Sequence, residues 1–219
     1  MSATTETTYS TASDAMPIGT PRHHIIIFAG LLVLLLIAPF VFYPVFIMKI
    51  LCFALFASAL NLLLGFGGLL SFGHAAFFGS ASYVTAHAAK VWELTPEVSI
   101  LLGMAAAAVL GLVIGALAIR RQGIYFAMVT LAFAQMVFFF ALQAPFTGGE
   151  DGIQAVPRGD LFGVLPLSND MTLYFVVLTI VFGGLLAIYR IVHSPFGQVL
   201  KAIRDNEPRS ISLGYKVNR

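Results

Sequence analysis

Residues 50–89 form a run of 40 without one Asp, Glu, Lys or Arg. As a single α-helix this run would be about 60 Å long at 1.5 Å per residue, twice the roughly 30 Å hydrocarbon core of a bilayer. Its middle reads Gly65-Phe66-Gly67-Gly68, and glycine both weakens a helix interior and supplies the φ > 0 conformations of a turn. The run therefore divides after Gly65 into two membrane crossings. Four further charge-free runs, at 25–47 (23 residues), 98–119 (22), 122–147 (26) and 171–189 (19), are each read as one crossing. The first is too long for the core of a secretory signal and lacks a basic start with a small-residue cleavage site; Pro39 and Pro44 predict a bend in it. Only 10% of the 219 residues are charged, against roughly a quarter in a soluble domain, which excludes an ordinary soluble globule. The expected fold is an all-α, polytopic transmembrane helix bundle with about six crossings over residues 25–193.

Charge orients these crossings. With the amino terminus inside, Arg22, Arg120, Arg121, Arg190, Lys201, Arg204, Arg209, Lys216 and Arg219, nine of the 12 basic residues, fall on the cytoplasmic side. Lys49, Lys90 and Arg158 fall outside, the bias of the positive-inside rule. A single crossing over 50–89 would send Arg120 and Arg121 outward, whereas a re-entrant pair there keeps the parity of two crossings. Residues 1–24 are read as a polar cytoplasmic tail, Ser- and Thr-rich and without hydrophobic periodicity, a composition that favours disorder. The net charge of +2 and the absence of a basic block interleaved with aromatics argue against a nucleic-acid partner. The one cysteine, Cys52, has no second thiol for a disulfide or thiolate metal site.

The fourth span carries Ser99, Gly103, Ala107, Gly111 and Gly115 at intervals of four, a stripe that lets two helix backbones approach closely in lipid. Such a stripe serves packing within the bundle or an interface with another subunit. Ser71, Ala75 and Gly79 repeat the pattern in the third span, and Thr179, Gly183 and Ala187 in the sixth. The polar residues at membrane depth are Asn61, His74, His87, Thr130 and Gln135, with no Asp, Glu, Lys or Arg among them. Ion-coupled pumps place charges there, so the driving energy is expected from outside the chain. Asn61 and His74 flank the glycine break, where discontinuous helices expose backbone groups to a polar cavity. Either they line a translocation path with Gly65, Gly67, Gly68 and Ser71, or they hydrogen-bond a neighbouring helix. His87 reads as interfacial and Gln135 as a packing contact. No phosphate loop, His-Glu-x-x-His, nucleophile elbow or cysteine pair is present, so no catalytic residue, metal site or cofactor is expected.

Two connections are more than minimal turns. The outer loop 144–170 contains Thr147-Gly148-Gly149-Glu150-Asp151-Gly152, whose glycines let backbone N–H groups approach a ligand or docked protein. After the sixth span, Ser194-Pro195 is an N-cap with proline at the first helical position. Phe196, Val199, Leu200 and Ile203 then share one face of a short cytoplasmic helix, and Ile211 and Leu213 continue the apolar character to Gly214. That face lies either on lipid, aided by Lys201 and Arg204, or in a groove on another protein.

Four segments carry a resemblance. Asn61-Leu-Leu-Leu-Gly-Phe-Gly-Gly-Leu-Leu-Ser-Phe-Gly-His-Ala-Ala-Phe-Phe-Gly79, Arg121-Gln-Gly-Ile-Tyr-Phe-Ala-Met-Val-Thr-Leu131, Thr147-Gly-Gly-Glu-Asp-Gly152 and Ser194-Pro-Phe-Gly-Gln-Val-Leu-Lys-Ala-Ile-Arg204, in that order, resemble the LivM-type permease subunits of branched-chain amino-acid ABC importers. The resemblance covers residues 25–219. It implies a multi-pass subunit of a bacterial inner membrane, paired with a LivH-type permease, two cytoplasmic ABC ATPases that bind the ATP, and a periplasmic amino-acid-binding protein. It also implies that residues 194–219 form the cytoplasmic coupling segment, with Phe196, Gly197, Val199, Leu200, Ile203 and Arg204 toward the ATPase. Family members continue with further transmembrane helices, so the chain looks truncated after Arg219. Importers of urea or short amides share these motifs, and an energy-independent channel or a membrane scaffold is the alternative of another class.

Overall fold

The computed structural model describes residues 21–119, 123–163 and 165–214. The expected disorder of residues 1–20, and the placement of Arg120, Arg121, Lys216 and Arg219, lie outside the described residues. Eight α-helices appear among them: α1 (Pro21–Val41), α2 (Pro44–Asn61), α3 (His74–Lys90), α4 (Pro96–Ala118), α5 (Ile124–Gln143), α6 (Asp170–Val192), α7 (Pro195–Asp205) and α8 (Glu207–Ser212). A π-helical turn, Leu62–Phe66, extends α2. The loop between α5 and α6 holds two 3₁₀ turns, Pro145–Thr147 and Gly149–Asp151, and a two-stranded antiparallel hairpin, β1 (Asp160–Leu161) with β2 (Leu165–Pro166).

Five helices among the described residues are long and apolar enough to cross a membrane: His23–Val41, Pro44–Phe66, Pro96–Ala118, Ile124–Gln143 and Asp170–Val192. The remaining expected crossing, α3, has 17 residues, about 26 Å of helix, and starts nine residues after Gly65 rather than directly behind it. Two further boundaries differ from expectation. The run 25–47 is not one bent span, because the helix stops at Val41 and Pro44 opens the next one. Tyr43 is extended (φ −62°, ψ 120°), as a residue before proline prefers, and a ring without an N–H sits at a first helical position at no loss. Pro21–His24 already belong to α1 instead of the tail.

The helices form two groups. In the first, α1, α2 and α6 enclose a core of Ile47, Met48, Leu51, Tyr174, Leu178 and Val181. Here α1 runs antiparallel to α6, with Phe28 stacked edge-on against Phe182 and Tyr189. Pro39 inside α1 removes the N–H that would bond the Leu35 carbonyl one turn earlier. The buried Tyr174 hydroxyl donates to that carbonyl instead, at 2.6 Å.

In the second group, α3 lies along α4 and α5. A Cβ at Gly103 would sit 2.8 Å from the Ala81 carbonyl oxygen and would collide with Thr85 Oγ1, so glycine is what permits the approach. The small-residue stripe of α4 packs only over its first half. Ser99 and Gly103 are buried, whereas Gly111 and Gly115 have nothing within 4 Å of an added Cβ. At 100° per residue, Gly111 and Gly115 have turned about 80° and 120° away from the Gly103 face; Ile114 and Ala118 are the buried positions there. The other two stripes do not act as expected. Gly79 and Gly183 face open space, and Gly184 instead packs on Leu55 of α2, a Cβ there falling 2.8 Å from Leu55 Cδ1. The two groups touch through aromatic rings, Phe56 with His74 and Phe78, and Phe53 with Phe78. No more than 17% of any of the five spans is buried, leaving most lateral surface to lipid or neighbouring subunits.

A glycine break joined to the α7 segment

The connection from α2 to α3 begins as a π turn. The Gly67 N–H reaches back to Leu62, Gly68 to Leu64 and Leu69 to Leu63, so the helix unwinds over three residues. A Cβ at Gly67 would lie 2.7 Å from the Leu63 carbonyl oxygen, and Gly68 holds φ +69°, a left-handed value that side chains disfavour. A Cβ at Gly65 would meet only the Asn61 Oδ1, at 2.7 Å, the end of a side chain folded over the turn. Asn61, Gly65, Gly67 and Gly68 are thus brought together.

Residues 67–73 then climb into the second helical group. The Phe72 N–H donates to Thr130 Oγ1 (3.2 Å), Thr130 donates on to the Ala127 carbonyl (2.9 Å), and the Gly73 N–H donates to Ser71 Oγ (3.2 Å). Ser71 and Thr130 are buried and satisfy backbone groups that lipid would leave bare. Thr130 lies about two turns inside α5, roughly 9 Å along its axis, which accounts for the shortness of α3. His74 opens α3 with its ring edge-on to Phe56 and Phe77, and its Nδ1 is buried without a hydrogen-bond partner. The break therefore carries one unspent polar atom. Beside it a cavity of about 400 Å³ opens between α3 and α5, lined by Phe72, Tyr83, Gln135, Phe138 and Phe146. Gln135 thus lines a cleft rather than a closed packing contact.

The α7 segment meets the same break. Ser194 caps α7, its Oγ accepting from the Gly197 N–H at 3.3 Å, with Pro195 at the first helical position. Gly197 is buried against the end of α6, where an added Cβ would run into the Ile191 and Val192 carbonyls, so its task is to let α7 fold back tightly. Phe196 is 64% exposed, while Val199, Leu200 and Ile203 are half-buried. The Arg204 guanidinium donates from Nη1 to the Gly65 carbonyl and from Nη2 to Asp205 at 2.7 Å. Its stem crosses the break, with Cγ 2.6 Å from where a Gly68 Cβ would be. Lys201 places its Nζ 5.0 Å above the Phe66 ring, within cation–π range. The sequence places Arg204 toward the ATPase or the lipid headgroups, and its contact across 139 residues of sequence has no local signature.

At the opposite end, the 144–170 loop is tied down. The Thr147 hydroxyl is buried 2.6 Å from the Ala144 carbonyl oxygen. Gly148 (φ +80°), Gly149 (+62°) and Gly152 (+67°) fold the chain so tightly that a Cβ at Gly148 would lie 2.5 Å from the Gly152 carbonyl oxygen. Glu150 and Asp151 project outward, exposed, with no ion pair among the described residues. The loop is fastened to the helices by Lys90 Nζ donating to Gln154 O (2.7 Å), His87 Nδ1 donating to Phe146 O (3.1 Å), Arg158 paired with Asp170, and the Phe162 N–H donating to Glu97. The contacts of Lys90 and Glu97, each beside a helix end, were not foreseen from sequence, and Thr130, named there only as a polar residue at membrane depth, holds the connection after the break.

A family model described as branched-chain amino acid transport system / permease component matches residues 43–219. The high-affinity branched-chain amino acid transport system permease protein LivM of Escherichia coli is 30% identical to this chain, and that of Salmonella typhimurium 29%. Each alignment covers 73% of this chain and 43% of the relative, so the chain spans less than half the length of the curated relatives it matches. No solved structure gives a significant match. With several apolar spans, a glycine-broken helix pair and a family model covering most of its length, the chain is a multi-pass membrane protein that belongs to the branched-chain amino acid transport permease family.

Proposed function

We propose that the chain forms part of the substrate path of an ATP-driven importer for branched-chain amino acids. It holds no cofactor, and the ATP is bound and hydrolysed on two partner ATPases in the cytoplasm. The amino terminus and the α7 end face the cytoplasm of a bacterium across its inner membrane, and the glycine-rich loop faces the periplasm. A second, LivH-type permease completes the path, and a periplasmic amino-acid-binding protein docks on the 147–152 loop, with Glu150 and Asp151 projecting toward it.

The observation that carries this reading is the α7–α8 segment. Outside the spans, Phe196, Ile211 and Leu213 are 64%, 55% and 68% exposed, an apolar surface that fits a protein groove, and the same segment is bonded to the break between α2 and α3. A docked ATPase would thereby act directly on the helix connection. The test is uptake of leucine by proteoliposomes holding the full-length subunit with its partners, with valine and urea as competitors. ATP-dependent uptake that valine inhibits and urea leaves unchanged is expected. Uptake without ATP, or failure of ATPases to co-purify, refutes the importer reading, and competition by urea moves the substrate to small amides.

A further inference from the structure

The two helical groups are joined at their α7 end, among the described residues, by one length of backbone, residues 67–73. That length starts at a helix end where the Gly65 carbonyl takes no N–H from the three residues that follow the turn. The N–H groups of Gly67, Gly68 and Leu69 turn back to Leu62, Leu64 and Leu63, passing over Gly65. Arg204 supplies the missing donor from outside the spans. Asp205 holds the guanidinium by its other edge, with Nε at 3.0 Å and Nη2 at 2.7 Å, so the fork is pre-oriented before it reaches the carbonyl. Lys201, one turn earlier on the same face of α7, sits on Phe66, the neighbour of Gly65. Gly68 has no side chain where the arginine stem passes.

We infer that Arg204 is a positioning residue that caps the unwound end of α2 and makes α7 and that end move as one body, so that displacement of α7 is delivered to the 67–73 connection between the helical groups. The inference rests on the importer reading for its functional consequence and on the contact alone for its geometry. Arginine suits the task because a charge-assisted bond to a carbonyl is stronger than a neutral one. The three-residue interval from Lys201 gives α7 two attachment points about 4.5 Å apart along its axis, enough to resist rolling as well as sliding.

The test uses the full-length subunit assembled with its partners, in a background with Cys52, the single thiol of this chain, replaced by Ser. Arg204→Ala should lower leucine uptake per ATP hydrolysed about tenfold, the factor that corresponds to the lower range of one charge-assisted bond. Arg204→Lys should recover part of it. Phe66→Cys with Lys201→Cys, joined by a short bifunctional thiol reagent, should preserve uptake when Arg204 is present and restore the ratio in Arg204→Ala. A purely structural arginine would not be rescued in this way. An unchanged ratio in Arg204→Ala overturns the inference, as does loss of uptake on crosslinking with Arg204 intact. If the unaltered assembly moves no leucine at all, the importer reading fails instead. Crosslinking yield then decides the cap: a fall in Arg204→Ala supports it, and equal yields overturn it.

Discussion

Replacing Tyr174 with Phe removes one hydroxyl and little else, and its effect is set by a proline on another helix. Pro39 cannot donate to the Leu35 carbonyl, and the Tyr174 O–H takes that place at 2.6 Å in a fully buried position. Interhelical polar contacts in membranes average about 0.6 kcal/mol, because the freed groups find other partners. The Leu35 carbonyl has lost its helical donor, so Tyr174→Phe should cost about 1–3 kcal/mol, the range for a buried acceptor left unmade. Pro39→Ala restores the backbone N–H, and in that background the same change should be nearly neutral. The measurement is reversible unfolding of the full-length subunit in mixed micelles by denaturing detergent, run as a double-mutant cycle. A coupling of about 1–3 kcal/mol is expected; a value within roughly 0.3 kcal/mol of zero would falsify the assignment of Tyr174 as the substitute donor.

Gly103→Ala and Gly111→Ala lie on one stripe of one helix and should differ in sign. The first forces a Cβ against Ala81 and Thr85 and should destabilise by about 1–3 kcal/mol, whereas the second enters open space and should gain up to about 1 kcal/mol of helix propensity; the same unfolding titration reads both. Phe196→Asp should abolish ATPase co-purification while leaving membrane insertion intact, and Leu200→Asp, half-buried, should also lower the amount of folded subunit, as size exclusion and pull-down together would reveal. Gly65→Ala displaces only the tip of Asn61 and should be tolerated. Gly68→Ala, at φ +69° beside the Arg204 stem, should cost about 1–2 kcal/mol for the left-handed conformation alone, so equal unfolding midpoints for these two variants would refute the account of the break.

The spans were legible because lipid excludes charge, and the runs around Ala107, Phe138 and Val181 announce themselves by that alone. Ser194-Pro195 was legible because a cap is local chemistry. The end of α1 at Val41 was not, since Pro39 and Pro44 lie in one uninterrupted apolar run and hydropathy does not say which proline ends a helix. The late start of α3 depends on Thr130, 58 residues from the Phe72 N–H it accepts, and the inward turn of Arg204 depends on Gly65, 139 residues away. Both are tertiary choices by residues whose local setting fits solvent or lipid equally well. Asn61, Gly65, Gly67 and Gly68, adjacent in sequence, meet in one turn, while Ser71 and His74 lie on the connection beyond it; that Arg204 reaches that turn emerges only from the fold.

The two helical groups are tethered unequally. At the α7 end the leash is residues 67–73, which even fully drawn out reaches about 25 Å and is pinned at Gly65 and at Thr130. At the far end the strap from Ala144 to Asn169 is several times longer, so its length sets no limit and only its fastenings at Lys90, Glu97 and Asp170 do. Any parting of the groups is therefore a swing about the leashed end, widest at the mouth where those few polar clasps let go.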